Sequence, residues 1–241
     1  LIVIPDWQKL QAEFKEELLL YIEEGGKMLI LGEGPVKIFK DNWDLNIDGV
    51  SESLKYYTGT ENSLFHVDQS SVLISQEKGL SSDAKFLSRN DKRFKTGYNS
   101  LMHIPSGEGV VSIIPFDLGS SYLDYPHFAK RDFFNTAVKN SGYHPVVKVK
   151  SSDQVHVVLR KKENYLQLHL LNASGNHSDP HYLGYDEIIP IKNLEIEMFL
   201  DHEPGKLVLQ PDSTELDFEY DKNILTFDPG ELEIYNIIEI R

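Results

Sequence analysis

The sequence contains no cysteine among its 241 residues, and this absence excludes several kinds of site at once. Disulfide bonds, thiolate metal ligands and a cysteine nucleophile all require the thiol group. The compartment stays open, because oxidising and reducing environments both accept a chain without cysteine.

Basic residues are also scarce, since 24 Lys and Arg stand against 38 Asp and Glu and give a formal net charge of -14. Nucleic acids are bound through phosphate contacts with clustered basic side chains, so a nucleic-acid partner is not expected. An anionic membrane surface is excluded on the same ground. No apolar run approaches the ~20 residues of a membrane-spanning helix, so we expect a soluble protein without a membrane partner.

The first 32 residues predict a strand, a helix and a second strand. Leu1–Ile4 is a short apolar run typical of a strand buried on both faces. Apolar residues then recur at helical spacing from Gln8 to Glu24, with Asp6 as N-cap and Gly25-Gly26 as the stop. Met28–Leu31 is a second buried strand, so the segment predicts a βαβ unit with parallel strands. A chain that opens inside a strand, without the basic segment of a signal peptide, is expected to be part of a longer protein.

The pattern weakens after Gly32 and becomes regular again near residue 107. The polar segment Ser81–Lys95 is predicted to be an exposed connection. Val110–Ile114 is predicted to be a strand of the same sheet. A helix should follow, with Pro126 in its first turn and Ser141-Gly142 at its end.

After His144-Pro145 the apolar period changes from that of a helix to that of a strand. Val155–Arg160 and Leu166–Leu171 alternate between apolar and polar residues on either side of a polar connection. Further short alternating segments are predicted at residues 194–200, 206–210, 215–220, 223–227 and 233–240. Short alternating strands separated by turn residues are typical of an antiparallel β-sandwich.

Three segments together resemble a known family. Ile2–Asp6 and Gly25–Gly32 are similar to the glutamine-amidotransferase-like fold, in the version called the β-galactosidase trimerisation domain. Gly107–Gly119 resembles the closing strand of that domain, and His169–Asn172 resembles the end of a hairpin in the family's C-terminal sandwich. The resemblance implies an α/β fold: a partial, flavodoxin-like parallel sheet with flanking helices over residues 1–143, its N-terminal strands missing, and a β-sandwich over residues 144–241.

The resemblance also implies a function. The family's domains follow the catalytic barrel of certain glycoside hydrolases, so the parent would be a bacterial β-galactosidase-like or α-L-fucosidase-like enzyme. This chain would be its non-catalytic accessory region, in contact with the N-terminal barrel and able to join subunits into a homo-oligomer. Amidotransferases place a cysteine nucleophile in a Gly-x-Cys-x-Gly turn, whereas this sequence has Gly32-Glu33-Gly34, so glutaminase activity is not expected.

Two acidic residues are candidates for chemistry of the chain's own. Glu33 and Asp117 each follow a predicted strand, where ligands of α/β folds bind. Two carboxylates about 5–9.5 Å apart across a sugar would suit glycoside hydrolysis. The alternative is that both are ordinary turn or loop residues. A hydrolase with Glu33 and Asp117 as its acids is therefore one candidate function.

A metal site is a second candidate. His177, Asp179 and His181 could bind zinc if a further protein ligand, such as His169, lay near them. The alternative is a polar loop between strands, because the segment is rich in turn residues. We expect neither a metal nor another cofactor. The Gly32–Gly34 turn is not a phosphate-binding loop, because Pro35 lacks the amide proton that such a loop would use.

Aromatic residues suggest two kinds of surface. Trp7, Trp43, Tyr56 and Tyr57 could stack on sugar rings or else fill the core. A carbohydrate-binding module is therefore the alternative function. The segment Tyr122–Phe134, with Tyr125, Phe128 and Phe133, is the candidate subunit interface, unless its rings are buried beneath the last helix.

Overall fold

The computed structural model describes residues 1–75, 81–150, 152–174 and 188–241. The chain divides into two compact units, Leu1–His144 and Pro145–Arg241. Each unit has hydrophobic core residues of its own. None of the helices in the described ranges has the length and hydropathy needed to cross a membrane.

The secondary structure of the first unit mixes short strands with helices. Its strands are β1 (Ile2–Ile4), β2 (Lys27–Leu31), β3 (Ile47–Ser51), β4 (Tyr57–Gly59), β5 (Leu64–His66), β6 (Ser71–Ile74), β7 (Ser81–Leu87), β8 (Lys95–Ser106) and β9 (Gly109–Ile114). Its helices are α1 (Ala12–Glu23), α2 (Glu33–Phe39), α3 (Leu118–Asp124) and α4 (Phe128–Asn140), with a 3₁₀ turn at Lys40–Asn42.

One sheet of mixed direction forms the centre of this unit, in the order β1-β2-β9-β8-β7-β4-β5. Strands β1, β2 and β9 are parallel to one another, whereas every later pair is antiparallel. The predicted parallel sheet is therefore correct for the first three strands and wrong for the others. The direction changes because two residues, Gly107 and Glu108, join β8 to β9, and only antiparallel strands can be joined by so short a turn.

The segment Ser81–Lys95 is not the exposed connection that its polarity predicts. Residues Ser81–Leu87 form β7, which pairs with the long strand β8, and Phe86 is fully buried. The pairing register shifts at several points along β7, so the apolar side chains do not recur at every second position. Irregular register therefore hides this strand from a search for alternation.

The predicted βαβ unit is confirmed at the start of the chain. β1 pairs in parallel with β2, from Ile2 opposite Met28 to Ile4 opposite Ile30. Helix α1 lies between them, and its Leu18 and Ile22 side chains are buried. The helix begins at Ala12 rather than near Gln8, with Gln11 at its N-cap position.

Asp6 does not cap α1, as the sequence predicts, because its carboxylate serves the next helix. The backbone N–H of Gly34, in the first turn of α2, donates to Asp6 Oδ1 over 2.7 Å. Such a bond satisfies one of the amide groups that a helix N-terminus leaves without an intrahelical partner. The contact joins the end of β1 to the start of α2.

Gly107, in the β8–β9 turn, and Gly109, at the start of β9, are each required to be glycine, for different structural reasons. Gly107 has a φ of +57°, which favours glycine. A Cβ on Gly109 would lie 2.2 Å from the Ile22 carbonyl oxygen and 2.3 Å from the Gly26 carbonyl oxygen. The Gly-x-Gly sequence therefore lets the turn pass closely beside the end of α1.

Helices cover both faces of the central sheet. Along β2, Met28 and Ile30 pack into one core cluster with α1 and α2, and Leu29 and Leu31 pack into another with α4. This division follows from strand geometry, because successive side chains point to opposite faces. A strand buried on both faces needs the continuous apolar run that β2 has.

The region after β9 contains two helices where the sequence predicts one. Helix α3 begins immediately after Asp117, and α4 begins two residues after Pro126. Pro126 thus precedes the helix rather than lying in its first turn, and His127 is the N-cap, its Nδ1 accepting from the Ala129 amide over 3.2 Å. Helix α4 ends as predicted, with Ser141 as C-cap and Gly142 at a φ of +76°.

The second unit is built from strands in its described residues. They are β10 (Val147–Val149), β11 (Val155–Lys161), β12 (Leu166–Asn172), β13 (Ile196–Phe199), β14 (Leu207–Gln210), β15 (Thr214–Leu216), β16 (Phe218–Asp221), β17 (Ile224–Phe227) and β18 (Tyr235–Ile240). They form two antiparallel sheets, with the orders β10-β13-β17-β16 and β11-β12-β18-β14-β15.

Both sheets contribute to one hydrophobic cluster. Leu168 and Ile238 come from the five-stranded sheet, and Ile196 and Leu225 come from the four-stranded sheet. The predicted hairpin is present, with Val155 opposite Asn172 and Lys161 opposite Leu166. Alternation therefore identifies which side chains of these strands enter the core.

Candidate functional site

The carboxyl edge of the parallel strands is the first place to look for a site. Leu31 ends β2 and lies opposite Ile114, which ends the neighbouring parallel strand β9. The segments that leave these strands therefore start at the same edge, where ligands of open α/β sheets bind. Glu33 and Asp117 both follow these strand ends, as the sequence predicts.

Glu33 has a local role at this edge. It is the first residue of α2, and its carboxylate forms an ion pair with Lys37, one helical turn later. A negative charge in the first turn of a helix and an opposite charge four residues later both stabilise the helix. These contacts explain Glu33 as a helix-start residue.

Asp117 has a similar role at the next helix. It is the N-cap of α3, where its Oδ1 accepts from the Ser120 amide over 3.0 Å and its Oδ2 accepts from Ser120 Oγ over 2.6 Å. Removing such a cap usually costs about 1 kcal/mol of stability. The catalytic role of Glu33 and Asp117 stays a prediction, since their observed contacts are those of helix termini.

The Gly32–Gly34 turn is closely packed. Gly32 has a φ of +91°, and a Cβ there would lie 2.4 Å from the Asp6 side chain. A Cβ on Gly34 would lie 2.3 Å from the Trp7 carbonyl oxygen. The segment after β1 thus packs against the turn that resembles the amidotransferase nucleophile turn, and this packing requires both glycines.

A cavity of about 230 Å³ opens near the same edge. Its walls are mostly carbon and come from the end of β2, from α3 and from α4. They are formed by Leu31, Leu118, Gly119, Tyr122, Lys130, Arg131 and Phe134. A cavity of this size and composition suits an apolar side chain rather than a sugar ring with its hydroxyl groups.

A buried ion pair lies beside this cavity, and the sequence analysis does not predict it. Lys130 is 4% exposed, and its Nζ lies 2.9 Å from Asp68 Oδ2. The same Nζ donates to the carbonyl oxygens of Ser121 and Tyr125, over 2.7 and 3.2 Å. The position of Lys130 next to Ala129 on a helix with a buried face is the one available signal, whereas nothing in the sequence around Asp68 indicates its partner.

A second network links three strands and resembles a hydrolytic triad. His103 Nδ1 is 2.7 Å from Ser112 Oγ, and His103 Nε2 is 2.9 Å from Asp83 Oδ2. Ser112 is fully buried within β9 and His103 is 7% exposed, so a substrate has no path to the hydroxyl group. Asn140 of α4 also donates to Asp83. The network therefore fastens the end of α4 to the sheet, which is a structural role.

We expect His103 to make the stability of the first unit depend on pH. Burial lowers its pKa, and the nearby Asp83 carboxylate opposes this effect only in part. The unfolded chain therefore binds a proton near pH 6.5, before the folded chain does, so stability is highest above about pH 6.5 and falls as the pH decreases toward the folded-state pKa. Denaturant unfolding at pH 7.5 and 5.5, followed by tryptophan fluorescence, should show a loss that is smaller in His103→Gln.

Both tryptophans, Trp7 and Trp43, lie in the first unit, so their fluorescence reports its unfolding. His144→Gln is the matched control, because His144 is an exposed histidine of the same unit. An equal loss of stability in wild type and His103→Gln would show that His103 is not responsible.

The aromatic residues considered as sugar platforms differ in exposure. Trp7 is 48% exposed and follows β1 at the carboxyl edge. The other three lie against rings: Trp43 against Phe39 at 5.0 Å, Tyr56 against Phe86 at 5.4 Å, and Tyr57 against His66 at 4.2 Å between centroids. Packing thus accounts for most of these rings.

The segment Tyr122–Phe134 is divided between surface and core. Phe133 is fully buried, whereas Tyr125 is 70% exposed and Phe128 is 57% exposed. Leu123, in α3, is 66% exposed. Of the three rings named for the candidate interface, Tyr125 and Phe128 are exposed and Phe133 belongs to the core, and the interface itself stays a prediction.

The candidate metal ligands His177, Asp179 and His181 lie outside the described residues. Within the described ranges, no three His, Asp or Glu side chains come together as a metal site. His169, the suggested further ligand, has its Nδ1 hydrogen-bonded to the Tyr235 hydroxyl group.

Comparison with solved structures gives matches over almost the whole chain, whereas no protein-family model and no curated protein matches the sequence. The α-L-fucosidase isoenzyme 2 from Paenibacillus thiaminolyticus has a TM-score of 0.77 at 16% identity, over 99% of this chain and 40% of the fucosidase. Gan42B, a GH42 β-galactosidase from G. stearothermophilus, has a TM-score of 0.60 at 11% identity, over 99% of this chain and 31% of that enzyme. The β-galactosidase from Bacillus circulans sp. alkalophilus has a TM-score of 0.59 at 11% identity, over 99% of this chain and 32% of that enzyme.

This chain therefore spans 31–40% of the length of these three structures. Because the sequence identities are so low, the structural similarity shows a shared fold and no more. Chains of glycoside hydrolases therefore contain regions with folds similar to that of this chain.

Proposed function

We propose that this chain is a non-catalytic accessory region of a glycoside hydrolase. The observation that carries the proposal is the unequal coverage: 99% of this chain matches glycoside hydrolase chains of which it spans 31–40%. Function depends on sites rather than on fold, and the contacts of Glu33 and Asp117 are those of helix ends. These two points together support the accessory role.

The finer fold assignment belongs to the same proposal. Residues 1–143 would be the amidotransferase-like domain, supported by the parallel strands β1, β2 and β9 with helices on both faces. Residues 144–241 would be the C-terminal β-sandwich, supported by two antiparallel sheets that share one cluster of core residues. Domains of this kind would brace the N-terminal catalytic barrel of the parent enzyme.

The proposal includes a surface for subunit contact. Leu123, Tyr125 and Phe128 expose large apolar side chains within six residues, in a stretch whose Tyr122 and Lys130 line the apolar cavity. Contiguous exposed apolar side chains on a folded unit are typical of sites that contact another protein surface. We assign this surface to the barrel or to a second subunit of the parent enzyme.

The chain by itself should hydrolyse no aryl glycoside. The test incubates the full chain with nitrophenyl β-galactoside and nitrophenyl α-fucoside and compares nitrophenol release with that of heat-inactivated protein. Equal rates are expected, because the acids at the carboxyl edge stabilise helices. The variants Glu33→Gln and Asp117→Asn are measured together with Glu163→Gln, which changes an exposed acid of the β11–β12 connection. Turnover above background that Glu33→Gln or Asp117→Asn abolishes, and that Glu163→Gln retains, would contradict the proposal and establish a hydrolase.

A further inference from the structure

Strand β11 lies at the edge of the five-stranded sheet and is longer than the other edge strands. Among the described residues its one neighbouring strand is β12, so alternate residues of β11 turn their N–H and C=O groups away from the sheet. β11 has seven residues. The other edge strands of the three larger sheets have three or four residues each: β1, β5, β10, β15 and β16. A long edge with unpaired backbone groups can pair with a further strand.

The features that usually prevent such pairing are missing from most of β11. Its sequence, Val155–Lys161, contains no proline, which would remove a backbone donor. Its register against β12 is unbroken over all seven residues, so no bulge turns the edge away. The basic residues of the strand, Arg160 and Lys161, stand at its end. The rest of this edge is therefore able to accept another strand.

The inward-facing side chains of β11 are incompletely covered. Val157 lies opposite Leu170 of β12, and Leu159 lies opposite Leu168, so these side chains point toward the core. Leu168 and Leu170 are fully buried, whereas Leu159 is 36% exposed. Val155 and Val157 are half-buried. A strand added at this edge, with apolar residues at alternate positions, would cover the three side chains of β11.

Charges of opposite sign lie at the two ends of this segment. Asp153 stands two residues before β11, and Lys161 is its last residue. Both side chains are exposed. When two copies of such a segment run antiparallel, the acidic end of each copy meets the basic end of the other. The segment is therefore complementary to itself in charge, and opposite charges across two strands stabilise their pairing.

We propose that two copies of this chain join edge to edge through β11, with the strands antiparallel and Val157 opposite itself on a twofold axis. This register sets Leu159 opposite Val155 of the second copy, and Lys161 opposite Asp153 of the second copy. Each contact occurs twice, as a twofold interface requires. The two five-stranded sheets would form one continuous sheet, and the interface is separate from the surface of Leu123, Tyr125 and Phe128, which lies in the first unit.

The register is decided by these side-chain contacts. A continuous sheet keeps inward-facing side chains on one side, so a residue of β11 must lie opposite its own copy. With the axis at His156, Leu159 would lie opposite Asp153, an apolar side chain against a charge. With the axis at Val158, Lys161 would no longer meet Asp153. The proposed register keeps the apolar side chains together and the opposite charges together.

Single cysteine variants test the register, because the chain has no cysteine of its own. Directly opposed residues of antiparallel strands have Cα atoms about 4.5–5.5 Å apart, a distance that a disulfide bond can span. Val157→Cys should therefore form a covalent dimer in an oxidising glutathione buffer. Leu159→Cys is the matched control, because its two copies would lie about 13 Å apart along the strands and should stay unlinked.

Sedimentation equilibrium of the full chain, from micromolar to near-millimolar concentration, measures the association itself. A reversible dimer is expected. Lys161→Glu turns two attractive pairs into repulsive ones and should weaken the dimer roughly tenfold. Combining it with Asp153→Lys should restore the affinity. Lys148→Glu makes the same change of charge at an exposed position in the other sheet of this unit, and it should leave the affinity unchanged.

Four results would overturn the proposal, with variants compared only if they retain the wild-type circular dichroism spectrum. The first is a chain that stays monomeric at near-millimolar concentration. The second is equal cross-linking of Val157→Cys and Leu159→Cys. The third is an affinity that falls as much in Lys148→Glu as in Lys161→Glu. The fourth is a dimer that Phe128→Ser abolishes and Lys161→Glu leaves intact, since the contact would then lie in the first unit. None of these results depends on whether the chain hydrolyses aryl glycosides.

Discussion

Replacing Lys130 by methionine is expected to lower the free energy of unfolding by about 3–5 kcal/mol, because the substitution leaves a buried carboxylate without its cation. Asp68 forms an ion pair with Lys130, in which Oδ2 lies 2.9 Å from Nζ, and the Asp68 side chain is 14% exposed. The same ammonium group binds the carbonyl oxygens of Ser121 and Tyr125 at the end of α3, so these acceptors would also lose a partner. Urea unfolding followed by tryptophan fluorescence measures the loss.

Two further variants separate the buried charge from simple loss of a lysine. Lys37→Met removes a 54% exposed lysine that pairs with Glu33, and it should cost no more than about 1 kcal/mol. Lys130→Met combined with Asp68→Asn should be more stable than Lys130→Met alone, because no unpaired charge remains. The ion pair would not be a major source of stability if Lys130→Met lowered the free energy of unfolding no more than Lys37→Met does. The same would follow if adding Asp68→Asn restored none of the stability lost in Lys130→Met.

Phe116→Ala is expected to destabilise the first unit by about 3–5 kcal/mol, the cost of an empty space left by a buried aromatic ring. Phe116 is fully buried where the chain leaves β9. Its ring centroid lies 6.3 Å from that of Phe65, 6.0 Å from that of Phe86 and 6.2 Å from that of Phe133. The ring therefore joins β5 and β7 to α4 near the end of β9, and its removal affects all of these contacts.

The matched control is Phe94→Ala, in which a phenylalanine that is 38% exposed is truncated. Its expected cost is below about 1 kcal/mol, since water already reaches the ring. Phe116→Leu, which fills most of the space, should lie between the two alanine variants. Equal costs for Phe116→Ala and Phe94→Ala in chemical unfolding would show that the aromatic cluster is not a centre of stability.

The sequence predicts the elements in which one local pattern decides the structure. Strand β2 is recognisable because a strand covered on both faces needs the unbroken run Met28–Leu31. The β11–β12 hairpin is recognisable because one face is apolar and the other polar. The carboxyl-edge positions of Glu33 and Asp117 follow from those strand ends, whereas their pairing with Lys37 and Ser120 emerges only in the structure.

Other features escape the sequence because they depend on distant contacts. Asp6 could cap either of two helices, and only the approach of Gly34, 28 residues later, decides for α2. Strand β7 is hidden by its shifts of register against β8. Lys130 and Asp68 are 62 residues apart, and no local period can relate them.

Two properties of the protein can be read from its sequence alone: the kinds of site that its residue types exclude, and the faces of its regular strands. The absence of cysteine excludes thiol chemistry in any fold, and alternation specifies which side chains of β12 are buried, because side-chain direction along a strand is a local property. Only the tertiary structure decides the mixed direction of the first sheet, the burial of Lys130 and the meeting of Arg160, Gln167 and Glu239 on one face. Each of these results depends on which strands become neighbours, and the free energy of that choice is shared among residues far apart in the chain.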